Sequence, residues 1–343
     1  MVTLAACIIV KNEENNLEKC LNSIRDFIDE IIVVDTGSDD KTKEIAKRLG
    51  AKVFDFKWTN DFSAARNFAL KQTSCDWVLQ LDADEILAEG EGAKIRELTK
   101  RDDICGAILQ IHNKFENESK NFFHTNLRIF RNAKGVLYEG KLHESVINSL
   151  KLLNKKIINA DIKIIHYGYF EKDKIKHERN IAFLKEELEQ NPKRTHLHFY
   201  LGRDYFVYGN YEGAIKHFNK FLEAQKAINF LTIASYMHLG LSYMKQGDSI
   251  KSKEYLLKAV KIKPNYIDAL LWLGEIFFDE KNYKEAAKWY KSYLFHQKQL
   301  KEKSDPSFLF LHYLNSNNLA KKKLAACNEH LDNSSISFSY SFG

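Results

Sequence analysis

A short pattern, leucine-glycine-x-x-aromatic, occurs three times in the C-terminal half of the chain. It begins at Leu201, Leu239 and Leu273, which places successive glycines 38 and 34 residues apart. A glycine at a fixed place in each unit lets two helices approach closely, and the aromatic residue fills space beside it. Because a single helix pair cannot bury its own apolar face, three units are the smallest number that stacks into a continuous core. The pattern therefore predicts an ordered all-α array over residues 195–300.

The second half of each unit supplies small residues, large residues and a helix stop. These are Ala214 and Phe218 in the first unit, Ala259 and Pro264 in the second, and Ala286 and Tyr290 in the third. Spacing and residue type together resemble tetratricopeptide repeats. The resemblance implies that each unit is a pair of antiparallel helices.

Three further segments complete the C-terminal half. We predict a connecting helix in residues 171–194, which the dipeptide Asn191-Pro192 ends. We also predict a capping helix in residues 301–331. The capping helix is expected to run from Ser307 to Leu331 and to carry the basic residues Lys321, Lys322 and Lys323. Residues 332–343 are expected to form a tail.

Short β-rich runs alternate with helical patterns from residue 1 to about residue 170, which is typical of an open α/β sheet. The predicted strands are Leu4–Val10, Glu30–Asp35, Ala51–Phe54, Trp77–Asp82 and Ile104–Ile111. The predicted helices lie at about Leu17–Ile24, Asp39–Leu49 and Phe62–Gln72. Ser38 is placed to cap the second helix, and Gly50 to end it in a left-handed conformation.

Composition is consistent with two ordered domains. Of the 343 residues, 44% are hydrophobic and only 3 are proline, which excludes a disordered or fibrous chain. The net charge of +6 is spread over interleaved lysines and glutamates, so it implies no nucleic-acid binding. The 5 cysteines form no C-x-x-C pair and are expected to be reduced, as in a cytoplasmic protein. No run of about 18 apolar residues occurs, so membrane association is expected to be peripheral at most.

Polar motifs follow three of the predicted strands. They cover Ile8–Glu14, Val33–Thr42 and Leu81–Glu85. In open α/β sheets ligands bind outside the carboxyl ends of the strands, so these motifs converge on one crevice. Their order and spacing over residues 3–170 resemble family 2 glycosyltransferases, which implies a GT-A fold and a nucleotide-diphosphate sugar donor.

Asp82 and Asp84 are candidate ligands of a divalent cation. Their spacing keeps both carboxylates on one side if the strand stays extended, and Mg²⁺ or Mn²⁺ prefers such oxygens together with phosphates. By the resemblance, Asp84 is the direct ligand and Asp82 lies near the ribose or acts through the metal. The resemblance also implies that His166 completes the metal site, with His143 as its rival. A buried structural histidine is the alternative for either one.

The resemblance assigns a group of residues to the nucleotide sugar. They are Val10, Asn12, Glu13, Asp35, Arg66, Asp82, Ala83 and Arg128. Asp35 is expected to accept a hydrogen bond from the imide N–H of uracil, which favours a UDP-sugar; holding the turn that follows it is the alternative role.

Arg66 belongs to a segment, Lys57–Asn67, that resembles a subgroup including peptide-modifying enzymes such as the sublancin S-glycosyltransferase. The guanidinium is expected to meet phosphate or base, with an Arg–Asp surface pair as the alternative.

The catalytic base is expected to be a carboxylate that takes the acceptor's proton as the nucleotide diphosphate leaves from the opposite face. Glu144 occupies the place of the family's x-E-D base motif, although Ser145 stands where that motif has its second acid. Glu139 is the rival. Arg66 or Arg128, together with the metal, is expected to stabilise the leaving diphosphate.

A repeat array suits extended peptides, so the favoured function is an inverting sugar transfer to a peptide or protein. One alternative is a glycan or lipid-linked saccharide acceptor, with the repeats forming a homodimer. A second alternative is a non-catalytic scaffold. The three carboxylates Asp35, Asp82 and Asp84, placed to face one crevice, argue against it.

Overall fold

The computed structural model describes residues 2–114, 122–167, 174–225, 227–303, 310–311 and 316–339. These residues form two compact units, the first within residues 2–114 and 123–167 and the second from residue 174 onward. The first unit contains strands and helices, and the second is almost entirely helical. The predicted succession of an α/β part and an all-α part is confirmed.

The first unit is built on one sheet. Its strands are β1 (Leu4–Val10), β2 (Glu30–Asp35), β3 (Lys52–Asp55), β4 (Trp77–Asp82), β5 (Glu85–Leu87), β6 (Ile104–Asn113), β7 (Phe122–Arg131) and β8 (Lys156–His166). Its helices are α1 (Leu17–Asn22), α2 (Thr42–Arg48), α3 (Phe62–Leu70), α4 (Glu91–Thr99) and α5 (Ile147–Lys151). The strands lie in the order β3-β2-β1-β4-β7-β6-β8-β5.

Apolar side chains cover both faces of this sheet. In β1, Leu4, Ala6 and Ile8 belong to a buried cluster that includes residues of α1, α2 and α4. Cys7 of the same strand belongs to a second cluster, which includes Ala69 of α3. Because successive residues of a strand point to opposite faces, a nearly continuous apolar run is what a strand buried on both sides requires.

Several predicted boundaries in the first unit differ from the structure. The second helix begins at Thr42 and not at Asp39, because Ser38 does not cap it: its hydroxyl accepts from the backbone N–H of Asn12 at 2.9 Å. Asp40 instead accepts from the N–H of Thr42 at 2.9 Å. Gly50 does adopt the predicted left-handed conformation, with φ of 84°.

The second unit consists mainly of helices packed in sequence. They are α6 (Lys174–Gln190), α7 (Leu197–Tyr208), α8 (Tyr211–Ala224), α9 (Phe230–Lys245), α10 (Ser249–Ile262), α11 (Ile267–Asp279), α12 (Tyr283–Lys303) and α13 (Asn317–Ser339), with a two-residue strand β9 (Phe310–Leu311). None of the helices in the described part of the chain is both long enough and apolar enough to cross a bilayer.

The prediction for the last helix is wrong at both ends. It was expected to run from Ser307 to Leu331, whereas α13 begins at Asn317 and reaches Ser339. The predicted tail therefore begins inside this helix, since the serine-rich end of α13 continues the helix beyond its last predicted residue. Residues 304–309, where the predicted helix starts, and residues 340–343 of the tail lie outside the described residues.

The three repeat glycines lie where neighbouring helices meet. A methyl group added at Gly202 would lie 2.9 Å from the Phe218 ring, and one at Gly274 would lie 2.7 Å from the Tyr290 ring. At Gly240 the nearest atom is Cγ of Leu256, at 2.7 Å. Each partner is fully buried, so the glycine is required by the large side chain on the following helix.

The second repeat uses different residues from those predicted. Leu256 takes the place that Phe218 and Tyr290 have in the other two repeats, and Ser252 takes the place of Ala214 and Ala286. Ala259 is buried as well, but it lies two turns beyond Ser252 in α10. The pairing of Gly240 with Leu256 shows that the second repeat keeps the same spacing as the others.

We predict that Gly274→Ala destabilises the second unit. Overpacking against the Tyr290 ring costs about 1–3 kcal/mol, and alanine's better helix propensity returns at most about 1 kcal/mol. A net loss of up to about 2 kcal/mol in the free energy of unfolding is therefore expected, measured by urea denaturation with circular dichroism. In a Tyr290→Ala background the same substitution should stabilise the protein, because the ring is gone. Destabilisation of equal size in both backgrounds would contradict the packing explanation.

Candidate active site

The carboxyl ends of three parallel strands lie side by side in the first unit. Val10, the last residue of β1, is in register with Asp35, the last residue of β2. On the other side of β1, Ile9 is in register with Asp82, the last residue of β4. The side chains that follow these strands therefore share one edge of the sheet, which is where ligands bind in folds of this kind.

Asp35 is almost completely buried and uses only half of its carboxylate within the protein. Its Oδ1 accepts from the backbone N–H groups of Gly37 and Ser38, both at 2.9 Å, so it holds the turn after β2. Its Oδ2 is buried and has no hydrogen-bond partner among the described residues. A buried carboxylate oxygen without a donor is costly, and a ligand N–H is one way to satisfy it.

The loop after β1 is tied to the loop after β2. Asn12 adopts a left-handed backbone with φ of 56°, and its side-chain oxygen accepts from the N–H of Asp39 at 3.0 Å. Burial and the neighbouring carboxylates of Asp84, Asp40 and Asp82 raise the pKa of Glu13, against the hydrogen bond from Asn16 that lowers it. The crevice is thus rich in negative charge next to the end of β1.

Two buried guanidinium groups hold Asp82. Arg66 Nη2 donates to Oδ1 at 2.8 Å, and Arg128 Nη2 donates to Oδ2 at 3.1 Å. Partial removal from water raises the pKa of Asp82, but the two cations outweigh that effect and hold it well below its usual range. Asp82 is therefore ionised, and both of its oxygens are engaged by the protein.

Glu85 extends this network into the interior. Its carboxylate pairs with Arg128 and accepts from the backbone N–H of Asp82 at 2.9 Å. Burial raises the pKa of Glu85 to about 7, although Arg128 acts in the opposite direction. Gln80 also belongs to this network. Its amide nitrogen donates to the Tyr138 hydroxyl at 2.8 Å, and its oxygen accepts from Arg66 Nη2 at 3.0 Å.

Asp84 has a different partner from Asp82. Its Oδ2 lies 3.1 Å from Nε2 of His166, the last residue of β8. Burial lowers the pKa of His166, but the carboxylates of Asp84, Glu85 and Asp82 outweigh it and raise the pKa above its usual value. On its other side the ring contacts Asn113, with 2.8 Å between Nδ1 and the amide oxygen.

Sheet register explains why these groups meet. His166 pairs with Glu85 of antiparallel β5 on one side and with Asn113 of parallel β6 on the other. The Asn113 amide oxygen can only accept, so Nδ1 of His166 carries a proton and Nε2 faces Asp84. Such a second partner is what fixes the orientation of metal-binding histidines in proteins.

The donor atoms of Asp84 and His166 fit a divalent cation. Two neighbouring ligands at about 2.1 Å from an octahedral ion are about 3 Å apart, and Asp84 Oδ2 and His166 Nε2 are separated by 3.1 Å. No group of three or more potential ligand side chains was found in the part of the chain that the structure describes. A cation held by these two residues therefore needs further ligands, which a diphosphate can provide.

The chain does not stay extended between Asp82 and Asp84. A turn begins after Asp82, and both aspartates remain partly exposed while Ala83 and Glu85 are buried. The two carboxylates are nevertheless not equivalent, because arginines neutralise Asp82 and only Asp84 faces the histidine. The structure brings Asp84 together with His166, whereas His143 lies in the loop before Glu144.

The two candidate bases differ in their surroundings. The side chain of Glu144 is 12% exposed and accepts from Arg66 Nε. Glu139 is exposed, and its carboxylate accepts from the side chain of Asn148 at 3.0 Å. Only Glu144 is joined, through Arg66, to Asp82 at the end of β4.

Arg66 is more deeply engaged than either sequence interpretation suggested. It is buried and pairs with two carboxylates at once, so it is neither a surface pair nor a free cation at the mouth of the crevice. Sequence reasoning also missed Gln80, Glu85 and Asn113. Gln80 and Asn113 are polar residues in apolar strands, and that interruption is the signal that could have identified them.

Comparison with protein families gives two matches. The model of Glycosyl transferase family 2 matches residues 5–177, and a tetratricopeptide repeat model matches residues 238–302. The first match contains every residue of the crevice, and the second contains two of the three repeat glycines.

Curated relatives combine the same two regions. The chain is 31% identical over 260 residues to a TPR repeat-containing protein of Synechococcus elongatus, covering 72% of this chain and 63% of that one. It is 30% identical over 232 residues to the SPbeta prophage-derived glycosyltransferase SunS of Bacillus subtilis, covering 66% of this chain and 55% of that one. The chain thus spans between about half and two thirds of the length of these relatives.

Among solved structures, TarS 1-349 of S. aureus in complex with UDP-GlcNAc overlaps with a TM-score of 0.43 at 15% identity, covering 77% of this chain and 92% of that one.

Proposed function

We propose that this chain, a member of glycosyl transferase family 2, is an inverting, metal-dependent glycosyltransferase. It moves a sugar from a UDP-sugar to a peptide or protein. One observation carries the proposal most directly. Asp84 and His166 present an oxygen and a nitrogen 3.1 Å apart at the sheet edge where Asp35 has a buried oxygen with no partner among the described residues. A cation site and a base-recognition site thus lie at the carboxyl ends of strands of one sheet.

The uracil is proposed to bind at Asp35. The imide N–H of uracil is a donor, and Oδ2 of Asp35 is a buried acceptor that lacks one among the described residues. Oδ1 remains bound to Gly37 and Ser38, so the carboxylate is already oriented before the nucleotide arrives. A cytosine ring has no N–H at the equivalent position, so this contact favours uracil over cytosine.

Charge in the crevice accounts for a requirement for metal. Glu13, Asp84 and Glu144 contribute negative charge, and the guanidinium groups of Arg66 and Arg128 are already engaged by carboxylates. A diphosphate that approaches this surface is repelled unless a cation accompanies it. Asp84 and His166 would hold Mn²⁺ or Mg²⁺, which neutralises charge on the leaving diphosphate when bound.

Glu144 is proposed to act as the base. In an inverting displacement the acceptor attacks the anomeric carbon, its proton passes to a carboxylate, and UDP leaves from the opposite face. The Arg66 contact at Oε1 holds the side chain in place, and the second oxygen, Oε2, is proposed to receive the proton. Arg66 and Arg128 keep Asp82 ionised beside the donor and offset its charge.

A peptide or protein acceptor is proposed from the second unit. Tetratricopeptide arrays bind extended peptides along a continuous surface, and the three glycine contacts give this chain such an array. The first unit by itself supplies the residues assigned here to the donor and to proton transfer.

The proposed function is tested by thermal denaturation of the protein with a panel of nucleotides and nucleotide sugars, each with and without Mn²⁺. UDP and at least one UDP-sugar should raise the melting temperature only when Mn²⁺ is present, because a ligand that binds the native state stabilises it. Asp84→Ala should lose this shift while the helical signal of the second unit is retained. A metal-independent shift, or one that survives Asp84→Ala, would contradict the assigned site.

We predict that Asp35→Asn weakens UDP binding without unfolding the protein. Asparagine can keep an oxygen toward Gly37 and Ser38, but it places an NH₂ group where the uracil N–H must donate. Loss of a hydrogen bond to a charged group costs about 1.5–3 kcal/mol, which is about 10- to 100-fold in Kd. Isothermal titration calorimetry of UDP with Mn²⁺ measures this change, and wild-type affinity in the variant would place the uracil elsewhere.

We predict that Glu144→Gln retains UDP binding and loses turnover. The amide keeps an acceptor for Arg66 but cannot take a proton, so kcat for UDP-sugar hydrolysis in the presence of Mn²⁺ should fall by about 100-fold or more. Glu139→Gln is the matched control, since it makes the same change in the same loop at the exposed carboxylate. If Glu139→Gln loses turnover and Glu144→Gln does not, the two assignments are reversed.

A further inference from the structure

We infer that helix α3 fixes the loop that carries Glu144, which makes Ser63, Arg66 and Asn67 positioning residues for the base. The inference rests on the proposed function in one respect only, the assignment of Glu144 as the base. The loop is defined here as residues 138–145 and is called the base loop. The contacts between α3 and the base loop are observed independently of any assigned chemistry.

Asn67 makes the most complete of these contacts. Its side-chain NH₂ donates to the carbonyl of Tyr138 at 2.9 Å, and its side-chain oxygen accepts from the N–H of the same residue at 2.7 Å. One amide side chain therefore satisfies both backbone groups at the start of the base loop. The amide thus replaces the pair of backbone hydrogen bonds that a neighbouring strand would otherwise make with this residue.

Ser63 and the first residue of the helix bind the middle of the base loop. The Ser63 hydroxyl donates to the carbonyl of Gly140. The backbone N–H of Phe62 donates to the carbonyl of Lys141 at 2.9 Å. Residues 63 and 67 are one helical turn apart and lie on the same face, so α3 presents them to consecutive parts of the loop.

Arg66 binds the end of the base loop and joins it to the donor side. Its Nε donates to Glu144, and its Nη2 donates to Asp82 at 2.8 Å. The planar fork of a guanidinium fixes the direction of both bonds, which a lysine cannot do. The position of Glu144 relative to the end of β4 is thereby set by a single rigid group.

The base loop needs such support because its own backbone is unfavourable. Gly140 has φ of 104° and His143 has φ of 56°, the latter a conformation that residues with a side chain seldom adopt. Two hydrogen bonds between Glu139 and Ser145, at 3.0 and 3.1 Å, join the two ends of the loop. Conformations of this kind persist where surrounding contacts hold them, and α3 supplies those contacts along the length of the loop.

Loosening the loop should affect proton transfer and spare donor binding. A general base must lie within hydrogen-bond reach of the proton it takes, and a displacement of about 1 Å can reduce turnover by about 100-fold. Asp35, Asp84 and His166, which are assigned to the nucleotide and the metal, are held by other contacts. A substitution at Asn67 or Ser63 should therefore lower kcat and leave the Kd of UDP unchanged.

The experiment compares wild type, Asn67→Leu and Ser63→Ala with Gln72→Leu. Gln72→Leu is a matched control: it makes a similar change in the turn just after α3, and the Gln72 amide donates to the carbonyl of Phe68 in α3 at 3.3 Å and not to the base loop. Three quantities are measured on the full chain: amide hydrogen exchange of residues 138–145, the Kd of UDP with Mn²⁺ by calorimetry, and kcat for Mn²⁺-dependent hydrolysis of UDP-glucose or UDP-N-acetylglucosamine, whichever the wild type hydrolyses.

We expect faster exchange in the base loop and a kcat reduced about 10- to 100-fold for Asn67→Leu, a smaller effect of the same kind for Ser63→Ala, and unchanged Kd for both. Gln72→Leu should match the wild type in all three quantities. Unchanged exchange in the base loop, or unchanged kcat with faster exchange, overturns the inference and leaves the proposed function intact. A wild type that neither binds UDP with Mn²⁺ nor hydrolyses a UDP-sugar overturns the proposed function, and the exchange measurement then still decides whether α3 holds the loop.

Discussion

Asp82 lies between two buried arginines, and the rest of the crevice depends on this arrangement. Arg66 comes from α3 and Arg128 from β7, and each also binds a second carboxylate, Glu144 or Glu85. Through these contacts, one aspartate at the end of β4 connects helix α3, the antiparallel strand β7 and the base loop. Breaking a buried ion pair on one side leaves an uncompensated charge, so each member of the network is required by the others.

The same arrangement separates two carboxylates that the sequence presents as a pair. Both oxygens of Asp82 are used by arginines, which leaves Asp84 as the carboxylate that faces His166. Asp82 is therefore neutralised within the protein, and the carboxylate of Asp84 stays partly exposed beside the histidine. Asn113 supports the histidine from behind, so the metal site candidate has a preorganised side chain on one of its two ligands.

Much of the fold could be predicted, because local patterns carry it. The strands that precede Asp35 and Asp82 and the glycine spacing of the repeats follow directly from hydrophobic period and residue type. Strands β7 and β8 were not predicted, since their pairing depends on distant residues and their own sequences are only partly apolar. Ser38 was misassigned as a cap because its hydroxyl is taken by the backbone of Asn12, a contact across two loops.

The order of the motifs along the chain is enough to bring the segments after β1, β2 and β4 to one crevice, because motifs at the carboxyl ends of parallel strands share one edge of the sheet. The partners of the individual side chains could be read from the folded chain alone. Folding places Arg66 on Asp82 and Glu144 and brings His166 of β8 beside Asp84. It binds Asp35 through one oxygen and leaves the other without a partner in the described part of the chain. These outcomes depend on distances between side chains far apart in the chain, and charge and hydrogen bonding act through distance, not through sequence separation.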